Sequence, residues 1–381
     1  MVNPVVRSGL DLWTSEPVAE LSALRLGLIS HPAAVLPDLT GAVDALRAAG
    51  YNLTALFGPE HGFSGSAADG AAVDDAIDVR TGLPVFSLYG AQREPSEQAL
   101  EQVDALVFDM QDVGARFYTY LSTLFYVLRV AGRSGKPIYV LDRPNPLTGN
   151  ILEGGAVEPG FESFVGVVNI PIRHAMTLGE LALYLNTEYA LGADLSVVKM
   201  QNWRRAMWFD QTGLPWVPTS PAMPHALTAM LYPGMCLLEG TNFSLGRGTA
   251  TPFEVCGAPS LDGHALARQL NDLQLPGVRF RPLLFMPAAS NYARQECRGV
   301  QVHVTDRQVF RPVEMGLVLI AMLREISPRH FRWNAHFERL VGSSSVRASL
   351  EARQPVSVVS DSWSGFLSGF IQKREKYLLY T

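Results

Sequence analysis

Short apolar runs of strand length punctuate the first half of the chain and alternate with stretches of helical spacing. Residues 24–30 (LRLGLIS), 53–57 (LTALF), 84–89 (PVFSLY), 105–109 (ALVFD) and 137–142 (PIYVLD) are such runs. Their near-continuous apolar character suits parallel strands covered on both faces. Between the first two, Leu39, Val43 and Leu46 recur at helical spacing, and Gly50 is placed to end that helix. Phe117, Leu121, Leu124, Leu128 and Ala131 form a second stripe, closing near Gly132 and Gly135. Strand and helix alternating in this way predict a doubly wound α/β domain.

A third helix starts at Thr177, which has capping-box spacing to Glu180; Leu178, Leu181, Leu185 and Tyr189 supply its buried face. Another strand-like run covers 195–200. The stretch 213–259 is rich in Pro and Gly without a steady period. Because it carries Trp216, Tyr232, Phe243 and Phe253, it reads as long functional loops and not as a flexible linker. Beyond it the pattern is α+β. Asp262 caps a helix containing Leu266, Leu270 and Leu273, Val300, Val302 and Val304 alternate with polar residues, and Pro312 opens a helix running through Leu323. The expected division is a large domain over 1–259 and a smaller C-terminal α+β domain over 260–381.

Composition narrows the function classes. Hydrophobic residues make up 48% and charged residues 18% of the 381 positions, an ordinary globular balance. The formal net charge of -5 argues against a nucleic-acid partner. Cys236, Cys256 and Cys297 lack CxxC spacing and read as buried apolar residues, so neither a disulfide framework nor a zinc site is expected. No HxH or HExxH pattern supports a metal, and His174, His225, His264, His303, His330 and His336 read as surface or structural groups. No stretch approaches the roughly 20 apolar residues of a membrane span. The opening MVNPVVRSGLDLW has no secretory pattern. A complete chain would therefore be expected in the cytoplasm, and otherwise exported with its signal removed. The pattern carries no signal of oligomeric state.

In an open parallel sheet, ligands gather beyond the carboxyl ends of the strands. Polar residues follow four of the runs: Ser30-His31-Pro32, Gly58-Pro59-Glu60-His61-Gly62, Asp109-Met110-Gln111-Asp112, and Asp142-Arg143-Pro144-Asn145. Glu60 is the leading candidate for an acid, since glycoside cleavage needs a proton on the leaving oxygen; the alternative is a carboxylate that binds turn amides. His61 either positions Glu60 or binds a sugar hydroxyl. Asp112 is either a second catalytic carboxylate or the cap of a turn. Arg116 suits a carboxylate through a two-pronged contact, and Tyr118 and Tyr120 either stack on sugar rings or join the core.

The run 238–249 (LEGTNFSLGRGT) supplies three glycines for close backbone approach, with Glu239, Asn242 and Arg247 as polar handles. Glu239 competes with Asp112 for the second carboxylate role. Walker, GxGxxG and GxSxG patterns are all absent, which argues against phosphate, dinucleotide and serine-nucleophile chemistry.

Taken together, these segments resemble the exo-β-N-acetylmuramidase family, formerly a bacterial domain of unknown function. The resemblance rests on GLISHPAAV (27–35), LFGPEHGF (56–63), TGLPVFSLYG (81–90), LVFDMQDVGARFYTYLSTL (106–124), VLDRPNPLTG (140–149) and RHAMTLGELA (173–182). It continues through SPAMP (220–224), YPGMCLLEGTNFSLGRGTATPFEVCGAP (232–259), CRGVQVHVTDR (297–307) and a terminal stretch from Trp363 to Tyr380. Nearly the whole chain is covered. The resemblance implies a Rossmann-like catalytic domain, a smaller C-terminal domain and a cleft between them. It also implies an exo-acting glycoside hydrolase, without cofactor, that releases N-acetylmuramic acid from the non-reducing end of peptidoglycan fragments. Glu60 falls on the family's catalytic glutamate, with Asp112 and Glu239 as further catalytic candidates. His61, Arg116, Tyr118, Arg143, Asn145, Asn242 and Arg247 are the candidate contacts to a small saccharide. Two departures stand out: His31-Pro32 replaces an expected Asn, and Ser64 to Ala68 replace an Arg-Gly-Asp-like stretch, which puts outer substrate contacts in doubt. The competing readings are a binding protein for amino sugars or muropeptides, and a hydrolase of another N-acylated or phosphorylated sugar.

Overall fold

The apolar runs of the first half assemble into one sheet in the computed structural model, which describes residues 5–381. The first four residues, part of the opening examined for a secretory signal, lie outside the described residues. The strands are β1 (Leu26–Ser30), β2 (Leu53–Gly58), β3 (Ala76–Ile77), β4 (Pro84–Ser87), β5 (Ala105–Asp109), β6 (Ile138–Leu141) and β7 (Leu195–Val198). Their spatial order is β3-β4-β2-β1-β5-β6-β7, and all pairs are parallel except the exposed edge pair β3–β4.

Burial explains the absence of alternation in the central runs. Every residue of β1 and β5 is buried. Leu28, Val107 and Leu141 pack with Trp13, Val43 and Leu46 on one face of the sheet. Ile29, Phe108 and Val140 pack with Leu121, Leu124 and Leu181 on the other. Helices cover both faces: Gly9–Ser15 and Ala42–Ala48 on the first, Tyr120–Ser134 and Leu178–Glu188 on the second. The last begins with the expected capping box, in which Thr177 Oγ1 accepts from Glu180 N and the Glu180 carboxylate accepts from Thr177 N. Leu39 and Phe117 fall outside the helices their spacing suggested. Leu39 is exposed with φ 70°, and Phe117 precedes the first turn of Tyr120–Ser134.

A smaller antiparallel sheet follows, built from β8 (Val255–Ala258), β9 (Val278–Phe285) and β10 (Cys297–Val304) in the order β8-β10-β9. Asp262 caps the helix Gly263–Asp272 through Ala265 N, and Pro312 opens Pro312–Ile326, as their sequence positions required. One expectation is corrected. The stretch 213–259 is not all loop, because Ala226–Met235 is a helix despite Pro233. Its reason is packing: Gly234 and Gly316 let this helix cross Pro312–Ile326 with backbones in contact. A Cβ on Gly234 would lie 1.7 Å from the Pro312 carbonyl oxygen. Local pattern cannot report such a crossing.

A buried carboxylate and the C-terminus help to hold the halves together. Glu153 accepts from Val313 N at the first turn of Pro312–Ile326 and pairs with Arg173 at 3.2 Å. The terminal segment returns to the first sheet, where Tyr380 donates to Asp142 at 2.5 Å and Leu379 N donates to Glu180. Among the described residues no helix is long and apolar enough to cross a membrane.

Candidate active site

The strand order reverses between β1 and β5, the point at which doubly wound sheets bind ligands. A cavity of about 1160 Å³ opens beside it. Its walls come from the ends of β2, β4 and β5, from the 162–165 and 220–223 segments, and from the C-terminal domain. Glu60 stands on this wall, half-buried, at the turn that follows β2. The turn is tight. A Cβ on Gly58 would meet Phe63 N at 2.4 Å, and Pro59 O accepts from Gly62 N at 2.9 Å. His61 is held in the left-handed region at φ 72°, a conformation that non-glycine residues adopt at a cost.

Both carboxylate oxygens of Glu60 are oriented. Oε2 accepts from Thr119 Oγ1 at 2.7 Å, and Oε1 accepts from Gly70 N at 3.1 Å. Tyr89 faces the same carboxylate, and burial followed by the charge of Glu60 pushes its phenol pKa well up. His61 Nδ1 lies 2.9 Å from Ala67 O, while Nε2 lies 3.8 Å from Asp69. His61 thus braces the 62–70 loop whose tip contacts Glu60.

Glu239 and Arg247 form a second polar group of the lining, joined to the 62–70 loop through Asp69. Arg247 donates to Glu239 Oε1 from Nε at 3.0 Å and from Nη2 at 2.5 Å, and it also pairs with Asp69. Burial alone would lower the Arg247 pKa, but the charges of Glu239 and Asp69 outweigh it and raise the value. Its guanidinium carbon lies 4.7 Å over the Phe253 ring. His336 Nε2 stands 3.9 Å from Glu239. Tyr118 lines the cavity with its hydroxyl donating to Thr219 Oγ1 at 2.7 Å, while its ring packs edge-on against Tyr120 and Tyr232.

Glu60, His61, Tyr118, Glu239 and Arg247 therefore share the cavity, and the other sequence candidates do not line it. Arg116 is corrected: it is fully buried and its two terminal nitrogens donate to four carbonyls, those of Gly155, Ile170, Leu340 and Val341. No donor of those nitrogens is left for a substrate carboxylate, and burial holds its pKa down to about 9. Arg143 grips Asp109 from Nε and Nη2, at 2.5 Å and 2.9 Å, and donates to Val35 O from Nη1. Asn145 donates to Met176 O and accepts from Leu147 N, directly beneath Gly114. Asn242 is tied to Tyr292, His330 O and Arg332 N. Asp112 is buried, accepts from Gly114 N at 2.7 Å and lies 3.5 Å from His174, which matches its turn-capping alternative. His31, one of the two departures from the family pattern, lies buried outside the cavity lining, between Gln111 N and Thr219 O.

Several cavity residues escaped the sequence reading: Asp69, Tyr89, Arg93, Thr119, His336 and Arg339. Thr119 and Tyr89 lie inside segments already singled out, so proximity to Glu60 was the missing information. His336, read as a surface or structural group, is a wall residue. Among the described residues no cluster of His, Cys, Asp and Glu is arranged to hold a metal ion.

Two family models cover the chain. One described as Exo-beta-N-acetylmuramidase NamZ, N-terminal, matches residues 26–227, and its C-terminal counterpart matches residues 230–380. Peptidoglycan beta-N-acetylmuramidase NamZ of Bacillus subtilis (strain 168) is 44% identical over 380 residues, covering 99% of this chain and 92% of that protein. A crystal structure of a DUF1343 family protein from Bacteroides fragilis NCTC 9343 superposes with a TM-score of 0.92 at 36% identity over the full length of both chains. A second from the same organism gives 0.81 at 30% identity, covering 99% of each.

Proposed function

The chain belongs to the exo-beta-N-acetylmuramidase NamZ family, and from that membership we propose how its cavity cleaves a glycosidic bond. The protein is an exo-acting glycoside hydrolase that releases N-acetylmuramic acid from the non-reducing end of peptidoglycan fragments. Hydrolysis breaks the bond between the anomeric carbon and the bridging oxygen; water supplies a hydroxyl to the carbon and a proton to the departing sugar. Glu60 is the group that delivers that proton. The observation that carries this assignment is its carboxyl group on the cavity wall, fixed by Thr119 and Gly70 from two sides. A fixed acid needs little reorganisation when charge develops on the leaving oxygen.

Glu239 supplies the second carboxylate of the lining, with Arg247 fixing its direction. Asp112 supports the loop ahead of Tyr118 instead of meeting substrate, since it is buried behind the lining. An aromatic ring suits a sugar, and Tyr89 provides one on the cavity wall beside Glu60. Segments from both ends of the chain line the cavity, Glu60 and Tyr89 from the first sheet and His336 and Arg339 from the C-terminal helices.

The test is Glu60→Gln, which keeps the shape and removes the acid. Turnover of a chromogenic muramic acid glycoside is expected to fall at least 100-fold, with disaccharide binding changed by only a few-fold. A fall of less than about tenfold, worth only ~1.4 kcal/mol of barrier, would remove Glu60 from this role.

A further inference from the structure

Three arginines line the cavity: Arg93, Arg247 and Arg339. They differ in what already occupies them. Arg247 is neutralised by Asp69 and Glu239. Arg93 and Arg339 form no ion pair among the described residues. Two exposed guanidinium groups without carboxylate partners thus face a cavity whose other cation is satisfied.

Their placement relative to the reacting end is also defined. Arg93 follows β4, and its guanidinium carbon lies 4.9 Å over the Phe164 ring. Phe164 in turn lies 5.6 Å from the ring of Tyr89, the residue facing Glu60. Stacking on an aromatic face leaves the in-plane N–H groups of a guanidinium available for a carboxylate. Arg339 belongs to the helix His336–Val341 of the other domain. Its carbonyl lies 3.7 Å from where a Cβ on Gly166 would stand, at the far end of the turn in which Ser163 and Gly166 exchange backbone hydrogen bonds. Arg93 meets the turn 163–166 through its guanidinium and Arg339 through its main-chain carbonyl, and both residues line the cavity. Glu162, the acid beside this turn, accepts from Gly160 N at 2.7 Å and pairs with neither.

Muramic acid differs from glucosamine by a lactyl ether that ends in a carboxylate. Resting on the hydrolase reading above, we propose that Arg93 and Arg339 form the wall that binds this carboxylate and so select muramic acid over glucosamine. Arg116, the arginine the sequence suggested, gives way in this role to two that line the cavity.

The experiment measures binding and turnover separately in the full-length chain. Calorimetry gives Kd for N-acetylmuramic acid and N-acetylglucosamine with the wild type, Arg93→Ala, Arg339→Ala, the double variant, and Arg93→Lys. The wild type is expected to prefer the muramic sugar at least tenfold. Each alanine variant should cut that preference several-fold, the double variant should abolish it, and the lysine should restore part of it. No preference in the wild type, an unchanged preference in the double variant, or equal weakening of both sugars would each overturn the assignment. Chromogenic turnover by the same proteins separates the two readings. Preference without turnover in the wild type would sink the hydrolase reading alone, and turnover with preference intact in the double variant would sink this one alone.

Discussion

His31 gives a stability prediction whose size follows from its surroundings. The ring is buried, Nε2 accepts from Gln111 N at 2.9 Å, and the proton on Nδ1 faces Thr219 O at 3.4 Å. Protonation would place a second hydrogen against the Gln111 amide. Burial, and then the nearby Arg143 charge, push its pKa down from 6.5 to about 3. The folded state therefore binds fewer protons than the unfolded state between those values. Its contribution is fully present above the unfolded pKa of 6.5 and is lost as pH falls toward about 3. From these two values, the loss between about pH 7.5 and about pH 5 comes to roughly 2 kcal/mol. The perturbation is His31→Gln, which keeps an acceptor for the Gln111 amide and cannot titrate. Urea unfolding of both proteins at the two pH values isolates the histidine, because the carboxylates are common to both. The wild type should lose about 2 kcal/mol more than the variant over that interval. Parallel losses, agreeing within about 0.5 kcal/mol, would refute the reasoning and show that the ring is solvated or already paired with an acid.

Two further outcomes follow from single contacts. Thr119→Val removes the hydroxyl that orients Glu60 Oε2; a hydrogen bond to a charged group is worth about 1.5–3 kcal/mol, so kcat should fall roughly 10- to 100-fold with KM nearly unchanged, and a wild-type kcat would deny the positioning role. Arg116→Met strips the donors from four buried carbonyls that join both domains; the loss, softened by no longer burying a cation, should be about 4 kcal/mol in denaturant unfolding, and a change below about 1 kcal/mol would show that water or relaxation satisfies those carbonyls.

The sequence made the sheet legible because its central strands are buried on both faces and therefore read as unbroken apolar runs. The capping box at Thr177, the N-cap at Asp262 and the proline start at Pro312 were equally plain, since each is a local amide problem with a local answer. Direction was harder. Arg116 and Arg143 stand in strand-end loops just as Glu60 does, yet their side chains turn inward to carbonyls of distant segments and to Asp109. Residue type announces a need for partners and says nothing about which side of the loop supplies them. The helix Ala226–Met235 was hidden for a related reason: Pro233 and Gly234 weaken any local signal, and the crossing that favours the helix lies with Gly316, far along the chain.

The cavity's dependence on both domains also explains why so much buried polarity lies away from it. Glu60 belongs to the turn after β2, and Glu239 and Arg339 to later segments that no strand pairing joins to it among the described residues. Their spacing must then be set by contacts that resist sliding. Apolar packing alone is poorly directional, whereas a guanidinium donating to four carbonyls has a narrow set of acceptable geometries. Arg116 reaches Leu340 and Val341, the residues that immediately follow Arg339. Glu153 receives the first turn of Pro312–Ile326, and Tyr380 is anchored on Asp142 at the end of β6. Each contact costs desolvation that a hydrophobic replacement would avoid. Their position, clamping the C-terminal helices at fixed distance from the strand ends, points to registry of the cavity lining as what that cost supports.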